Sequence, residues 1–337
     1  MADLKTTYLG IELKNPLIIG SNSLITDVKN AKAIEEAGAS AIVYKSLFEE
    51  QIQLESYELD QQMEAYNERN AEMTKLFPDL DHAGPREFLM NLKKVKQAVS
   101  IPVFASLNCV NRETWVAWAR ELESTGIDGL ELNFYHVPVD FNIEEAVIIQ
   151  EQVDITKDVV KALKIPVAVK LSPFYTNPLN FVKRLDKVGA KAFVMFNSLF
   201  QPDIDVKTQK LVYKYKLSNE EDNRLPLRYA GLLAGNVKAS ICSSSGLYHG
   251  NDIVKMILAG ADSVQVVSAI YKFGFKAISK MLEELETWMK ENNYKSLSEF
   301  RGKMSKNKIK SPFAYKRAQY VDILLRSSEV MQEYALR

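Results

Sequence analysis

The sequence contains few cysteines and few histidines, and both scarcities narrow the possible chemistry. Cys109 and Cys242 are the only cysteines among 337 residues, which excludes a disulfide scaffold and a CxxC-type zinc or iron–sulfur site. Both lie in apolar stretches, so we expect buried, reduced thiols. The three histidines, His82, His136 and His249, are far apart in sequence and show no metal-ligand spacing with acidic residues. We therefore predict no metal site.

An excess of charge of one sign and long apolar runs are also missing. The chain carries 43 Lys and Arg residues against 43 Asp and Glu residues, so long-range attraction to nucleic acid is not expected. No stretch reaches the roughly 20 apolar residues that span a bilayer, and residues 1–16 lack the apolar core of a signal peptide. The sequence predicts a cytoplasmic protein with neither a nucleic-acid nor a membrane partner.

What is present is a repeated strand–helix pattern. Eight short, nearly continuous apolar runs are typical of parallel strands covered on both faces, and segments of helical spacing lie between them. The runs occupy residues 15–21, 40–46, 102–108, 129–134, 166–172, 192–198, 237–246 and 263–269. Eight such units in about 270 residues match a (β/α)8 TIM barrel of the α/β class. An open doubly wound sheet is the alternative, although it usually carries a glycine-rich turn after its first strand.

Two connections are too long to be simple loops. Residues 47–100 follow the second predicted strand and residues 199–236 follow the sixth, so a barrel places both insertions at the face that carries active sites. Each is interpreted as a lid or substrate wall, or as an oligomer contact or solvated arm. We predict one domain over residues 1–337, with a helical and basic extension from about residue 290. The Lys-rich stretch at residues 301–310 is interpreted as solvated surface.

Polar residues end several of the predicted strands, where a barrel keeps its site. They are Ser21, Asn22, Lys45, Ser46, Asn108, Asn133, Lys170, Asn197, Ser198, Ser244, Ser245, Gly246 and Ser268. Helix capping explains any single Asn or Ser among them. Lysine is almost never buried without a partner, so Lys45 and Lys170 together indicate a ligand with several hydrogen-bonding groups.

A small-residue loop after the seventh predicted strand points to an anion. The segment SSSGLYHGND (243–252) leads into a helix that starts near Asn251. Backbone N–H groups of such a loop approach an oxyanion closely, and the loops after strands seven and eight are the usual phosphate site of this barrel. The sequence therefore predicts a phosphate-bearing ligand. His136, just past the fourth strand, is the candidate proton carrier, and Tyr135 is the second.

These strand-end segments resemble the dihydroorotate dehydrogenase family along nearly the whole chain. The matching pieces are NPLIIGSN (15–22), AIVYKS (41–46), GLELN (129–133), PVAVKLSP (166–173), FNS (196–198) and SSSGLYHGNDIVKMILAGADSVQVVSAIYKFG (243–274). The resemblance implies an FMN-binding (β/α)8 barrel, a flavoprotein oxidoreductase that oxidises a CH–CH bond of dihydroorotate or a similar small molecule in pyrimidine biosynthesis. It also implies a soluble electron acceptor such as fumarate, and a homodimer.

Carried over residue by residue, the resemblance also implies the FMN contacts. Those along the ring are Ser21, Asn22, Lys45, Ser46, Asn108 and Asn133, with Lys170 near N1. Asn197 and Ser198 bridge towards the substrate. Those that hold the phosphate are Gly231, Ser245, Gly246, Ser268 and Ala269. The catalytic set is His136, Tyr135 and Lys45.

The sequence departs from the family pattern at the substrate. Family members carry a Cys or Ser base in a segment resembling NLSCPN, whereas NFYHVP (133–138) places His136 at the base position and Pro138 where an asparagine contacts the substrate. The family's N-x-x-G-x-x-N loop has no equivalent between Met73 and Glu87. The family usually has Gly-Gly at positions 245–246, where this chain has Ser-Gly.

Two other hypotheses remain open at this point. One is a flavin-binding relative with a different substrate or without catalysis, serving a structural or regulatory role. The other is a flavin-free barrel aldolase in which Lys170 forms a Schiff base with a phosphorylated sugar.

Overall fold

The chain folds around a closed barrel of parallel strands. The computed structural model describes residues 2–53 and 84–326. Its strands are β1 (Thr6–Tyr8), β2 (Ile11–Leu13), β3 (Leu17–Ile19), β4 (Ala41–Phe48), β5 (Val103–Asn108), β6 (Gly129–Asn133), β7 (Val167–Leu171), β8 (Ala192–Met195), β9 (Asp203–Asp205), β10 (Lys210–Val212), β11 (Ser240–Ser244) and β12 (Ser263–Val266). The barrel closes in the order β3, β4, β5, β6, β7, β8, β11, β12 with every pairing parallel. All eight predicted strands and the predicted (β/α)8 architecture are confirmed, and the open sheet is wrong.

Helices surround this barrel. They are α1 (Val28–Glu36), α2 (Pro85–Ala98), α3 (Arg112–Ser124), α4 (Glu145–Ala162), α5 (Pro178–Lys187), α6 (Arg224–Leu233), α7 (Gly250–Ala259), α8 (Ser268–Phe273), α9 (Lys276–Glu291) and α10 (Ala318–Leu325). Apolar residues at helical spacing turn inward, as Leu92 and Val95 of α2 do, and join a core that also contains the outward side chains of the strands. Because this layer is buried, it holds the carboxyl ends of the strands together as one rim of the barrel.

An amino-terminal hairpin closes the opposite end of the barrel. Strands β1 and β2 pair antiparallel, and Tyr8 and Leu9 fill the lower lumen with Ile18, Val43 and Phe104. The rings of Tyr8 and Phe104 pack edge to face at 5.5 Å. The predicted series of eight strands did not contain this hairpin, because β1 and β2 are only three residues long each.

The second insertion and the carboxyl-terminal extension both contain regular secondary structure. The insertion after β8 forms the β9–β10 hairpin and then α6. The extension crosses α6 and α7, where the Gly302 N–H donates to the Ile257 carbonyl and the Lys306 N–H to the Gly231 carbonyl. Residues 54–83 of the first insertion, with His82 and most of the loop between Met73 and Glu87, lie outside the described residues.

The cysteine prediction is confirmed, because Cys109 and Cys242 are free and buried. Burial raises the pKa of the Cys242 thiol to about 12. Within residues 2–53 and 84–326, no three His, Cys, Asp or Glu side chains cluster closely enough to hold a metal ion. In the same ranges, none of the helices combines the length and apolar character that crossing a bilayer requires.

Candidate active site

A buried lysine and its two partners lie at the open rim of the barrel. Lys170 of β7 is 7% exposed, and its Nζ donates to Oε1 of Gln265 at 3.1 Å. The same Nζ lies 3.5 Å from Oε1 of Glu131. Gln265 Nε2 donates to Glu131 Oε2 at 2.6 Å, which closes a three-membered network across β6, β7 and β12. From the sequence we expect a ligand to satisfy Lys170, whereas Glu131 and Gln265 already supply a counter-charge and an acceptor.

This network is held in a nearly dry environment. Glu131 is 1% exposed, and apart from Lys170 its Oε1 has no hydrogen-bond partner among the described residues. Below it, burial raises the pKa of the Tyr8 hydroxyl well above its usual value, with Cys242 and Glu131 adding to the effect. Lys170 and Glu131 are therefore buried as a pair, and each supplies the polar partner that the other needs inside the barrel.

Lys170 faces a cavity of about 130 Å³, here called the Lys170 cavity. Eight of the predicted strand-end residues line it: Ser21, Lys170, Asn197, Ser198, Ser244, Ser245, Gly246 and Ser268. Tyr215, Lys216, Ser218 and Gln265 line it too, and none of them was predicted. The first three belong to the second insertion and have no strand-end position, so the pattern that identified the other residues could not identify them.

Ser218 ties the second insertion to the loops after β11 and β12. Its hydroxyl donates to the Ser268 hydroxyl at 2.8 Å and accepts from the Gly246 N–H at 3.1 Å. The Tyr248 hydroxyl donates to the Ser218 carbonyl. Hydroxyls and backbone N–H groups from three segments therefore converge on one end of the Lys170 cavity, an arrangement that suits a phosphate group.

The backbone at this end adopts the left-handed conformation twice in succession. Ser245 has φ +80° and Gly246 has φ +69°. A Cβ atom at Gly246 would lie 2.4 Å from the backbone nitrogen of Asn223, so only glycine fits there. Ser245 is a non-glycine residue in this region and its hydroxyl donates to the Phe196 carbonyl at 3.2 Å. Strain of this kind is typical of ligand-binding loops.

The expected contribution of the helix near Asn251 is not found. The Asp252 carboxylate accepts from the N–H groups of Tyr248 and His249 at 3.0 and 3.1 Å, and the Glu284 carboxylate accepts from the Gly250 N–H at 2.6 Å. Two carboxylates therefore occupy the first turn of α7 and would repel an added anion. The first turn of α7 thus gives no support to phosphate binding, whereas the preceding loop lines the Lys170 cavity and keeps the predicted phosphate site a proposal.

Three asparagines form a chain along the rim. Asn108 Nδ2 donates to the Asn133 carbonyl at 2.7 Å, and Asn197 Nδ2 donates to Asn133 Oδ1 at 2.6 Å. Asn197 lines the Lys170 cavity, so this chain links the ends of β5 and β6 to that cavity.

Three hydroxyls form a second chain. Ser46 Oγ lies 2.7 Å from Ser106 Oγ and 3.3 Å from Ser21 Oγ, and Ser21 lines the Lys170 cavity. The structure thus connects Ser46 to the cavity and adds Ser106, which was not predicted.

Four predicted residues lie away from this cavity. Asn22 accepts from the Leu24 N–H at 2.9 Å and donates to the Gly20 carbonyl, so its amide caps a short 3-10 helix. Lys45 is half-buried at a register irregularity of β4 and has no hydrogen-bond or ion-pair partner within the part of the chain that the structure describes. Gly231 lies within α6, where the Tyr315 ring occupies the space that a Cβ would need. Ala269 is fully buried in α8.

His136 and Tyr135 line a neighbouring cavity of about 480 Å³, here called the His136 cavity. His136 is exposed, and the Tyr135 hydroxyl accepts from the Phe200 N–H at 3.1 Å. Phe200 lines both cavities, so the two lie side by side. A molecule that extends from one cavity to the other would contact Lys170 at one end and His136 at the other.

The comparisons with known proteins agree with this arrangement. The sequence profile of the family described as dihydroorotate dehydrogenase matches residues 77–289. The catalytic subunit named dihydroorotate dehydrogenase B (NAD(+)) of Thermoplasma volcanium is 26% identical over 317 residues, covering 90% of this chain and 98% of the relative. Its counterpart in Methanocaldococcus jannaschii is 26% identical over 86% of this chain and 94% of the relative.

A relative named for a different electron acceptor also matches. Dihydroorotate dehydrogenase A (fumarate) of Lactobacillus helveticus is 26% identical over 63% of this chain and 70% of the relative. The family profile covers more than half of the sequence and includes β5 to β8, β11 and β12, which carry the Lys170 network and most of its cavity. The chain therefore belongs to the dihydroorotate dehydrogenase family.

Proposed function

We propose that this protein is an FMN-dependent oxidoreductase that oxidises dihydroorotate, or a closely similar dihydropyrimidine, in pyrimidine biosynthesis. The observation that carries the proposal is the Lys170 network, in which a buried amino group lies beside Glu131 and faces a cavity lined by hydroxyls and amides. Family membership supports an oxidoreductase, and flavin binding is general in this family.

The residues at the rim fit FMN. A volume of about 130 Å³ suits the phosphate end of the molecule, with the Ser268 hydroxyl as a donor. Ser218 and the Gly246 N–H would donate to it by exchanging their present hydrogen bonds. Lys216, which also lines this end, would add a positive charge. The asparagine and hydroxyl chains along β4, β5 and β6 would border the ring. Gly231, Ala269, Lys45 and Asn22 stay as proposed contacts from the family resemblance alone.

Different residues would serve the hydride transfer and the proton removal of the proposed reaction. FMN would supply the acceptor for a hydride from a C–H bond of the substrate. Lys170, which lines the cavity, would be the residue that stabilises negative charge on the flavin. His136 would take the proton from the neighbouring carbon, since its imidazole ring faces the adjacent cavity. The Tyr135 hydroxyl is held by Phe200 and would orient the substrate.

The second candidate function is flavin binding without this catalysis. The observation that favours it is the exposure of His136, which lies outside the Lys170 cavity. A solvent-exposed imidazole is a weaker positioned base than a buried one. The Schiff-base aldolase, in contrast, requires Lys170 Nζ to attack a carbonyl, whereas Gln265 and Glu131 already engage that atom.

The other proposed properties follow from the resemblance. We propose a single domain over residues 1–337, a homodimer, a cytoplasmic location and fumarate as the electron acceptor. The names of the relatives mention either fumarate or NAD(+), so both acceptors belong in the assay.

Two measurements test the proposal. An absorbance spectrum of the purified protein is expected to show bound flavin, and anaerobic addition of dihydroorotate is expected to bleach it. His136→Ala is expected to slow the bleaching without releasing the flavin. Bound flavin that no dihydropyrimidine bleaches between pH 6 and 9 supports the second candidate instead, and a protein that binds no FMN contradicts both.

A further inference from the structure

The last described helix has its polar and apolar faces reversed relative to a normal surface helix. In α10, Gln319 and Asp322 are half-buried, whereas Tyr320, Ile323 and Leu325 are exposed. Gln319 accepts from the Arg228 guanidinium, so the polar face is the one that contacts α6. A helix that turns its apolar face outward loses the hydrophobic contribution that normally docks a helix, unless a partner covers that face.

The apolar exposure is large for so short a helix. The exposed fractions are 60% for Tyr320, 53% for Ile323, 55% for Leu324 and 81% for Leu325. Phe313, in the 3-10 helix before α10, is 43% exposed. These residues follow one another within two helical segments, so they form a continuous apolar strip rather than scattered single side chains.

The chain around this strip is strongly basic. Residues 301–326 contain eight Lys and Arg residues and one acidic residue, Asp322, whose carboxylate is already paired with Arg326 at 3.2 Å. The rest of the sequence must then carry the compensating acidic excess, because the whole chain is formally neutral. Lys316 and Arg317 directly precede α10, so part of this basic charge lies beside the apolar strip.

The two features meet in one surface depression. A shallow cavity of about 350 Å³ is lined by Arg228, Lys316 and Arg317 together with Tyr320 and Ile323 of the apolar strip. Among the described residues that line it there are three cations and no carboxylate. Cations beside exposed aromatic and aliphatic side chains match a surface that is anionic on the outside and apolar immediately below.

We propose that α10 and the basic residues before it bind peripherally to an anionic membrane surface. Lys316, Arg317 and Arg228 contact lipid phosphates, and Ile323, Leu324 and Leu325 enter the boundary of the acyl chains. A second copy of this chain fits the strip less well, because a twofold contact would set the same basic residues of both copies against each other. From the sequence we expect a solvated basic surface and no membrane partner; the outward apolar face is the observation that changes this interpretation.

Vesicle sedimentation tests the proposal with the full chain. Vesicles of phosphatidylcholine with phosphatidylglycerol are expected to bind the protein, vesicles of phosphatidylcholine alone are expected to bind it weakly, and high salt is expected to reduce the difference. Lys316→Gln with Arg317→Gln is expected to weaken binding about 30-fold. Lys207→Gln with Lys210→Gln removes the same charge from the exposed β9–β10 hairpin and is expected to change binding little.

A second pair of variants tests the apolar part. Leu325→Glu is expected to weaken vesicle binding more than tenfold, while Val139→Glu, at a residue of 85% exposure on a different loop, is the matched control. Neither residue is buried, so thermal unfolding is expected to be unchanged. Equal binding to both kinds of vesicle, or no binding to either, overturns the proposal. So does a dimer in sedimentation velocity that Leu325→Glu dissociates, because that result assigns the strip to a second copy.

Discussion

Lys170 and Lys45, the two lysines predicted to belong to the site, have different surroundings in the barrel. Lys170 is buried and paired with Glu131, whereas Lys45 is half-buried without a partner in the described chain. A buried ion pair costs desolvation energy for both groups, so its removal as a pair costs less than the loss of one partner. The sequence identified both lysines as equivalent because residue type and strand position do not reveal which neighbour is acidic.

Substitution of the two lysines is expected to change the free energy of unfolding by different amounts. Lys170→Met should lower the free energy of unfolding by about 3–5 kcal/mol, because Glu131 would stay buried without its lysine partner. Adding Glu131→Gln should recover part of that loss. Lys45→Met serves as the control and should stay within about 0.5 kcal/mol of the natural sequence. Urea unfolding at pH 7 measures all three, and a destabilisation of Lys45→Met equal to that of Lys170→Met would contradict the assigned pairing.

The left-handed backbone conformation of Ser245 and Gly246 gives a second prediction. Ser245→Gly should raise the free energy of unfolding by up to about 1 kcal/mol, because glycine adopts the conformation without strain. Gly246→Ala should lower it by about 1–3 kcal/mol, since its Cβ would collide with the backbone of Asn223. Thermal unfolding in the presence and absence of FMN checks both. A destabilising Ser245→Gly together with a neutral or stabilising Gly246→Ala would contradict the left-handed conformation assigned to this loop.

At the scale of elements, the periodic segments were predictable and the irregular ones were not. The β-branched runs fix β3 to β8, β11 and β12, because strands covered on both faces need continuous apolar sequence. The β1–β2 hairpin carries only three residues per strand and has no such signal. Ser218 reaches the Lys170 cavity only through the folding of the second insertion. Glu131 was not predicted as a site residue, because the sequence does not show that an acidic residue inside one strand pairs with a lysine in the next.

The junction between β4 and α3 leads to a pH-dependent prediction. Burial alone would raise the pKa of Glu49, but hydrogen bonds from the backbone of Asn111 and Val110 and from the Asn111 and Thr114 side chains outweigh it and lower that pKa. A carboxylate with a lowered pKa stabilises the fold above its unfolded pKa, and this contribution is lost as pH falls through the folded pKa.

Glu49→Gln is therefore expected to lower the free energy of unfolding by about 1–3 kcal/mol at pH 7. The difference from the natural sequence should shrink as the pH falls from about 5 towards 3. Chemical unfolding across this range measures it. Glu50→Gln is the neighbouring control, and a difference between Glu49→Gln and the natural sequence that grows on acidification would contradict the argument.

For the whole molecule, the carboxyl-terminal extension is part of the same core as the barrel. Phe300 is fully buried and its ring packs 5.1 Å from those of both Trp288 and Tyr294. Phe313, thirteen positions later, is 43% exposed on the apolar strip. The extension from about residue 290 thus has a buried first part and an exposed second part, which the basic composition alone did not distinguish.

Alanine substitution of these two phenylalanines, one at a time, tests this division. Phe300→Ala should lower the free energy of unfolding by about 3–5 kcal/mol through the cavity it leaves. Phe313→Ala should lower it by no more than about 0.5 kcal/mol. Calorimetry of both variants provides the measurement. Similar losses for the two would mean that the outer part is packed as tightly as the inner part.

The amino-terminal hairpin has a consequence for the order in which a ribosome-bound chain acquires its structure. The Thr6 hydroxyl donates to the Asp262 carbonyl at 2.7 Å and accepts from the Arg301 guanidinium at 2.7 Å. Thr6 therefore waits for a partner that is synthesised almost 300 positions later in the chain. Until Arg301 has left the exit tunnel, this contact at the base of the barrel cannot form, so we expect closure of the base to be a late event on the ribosome.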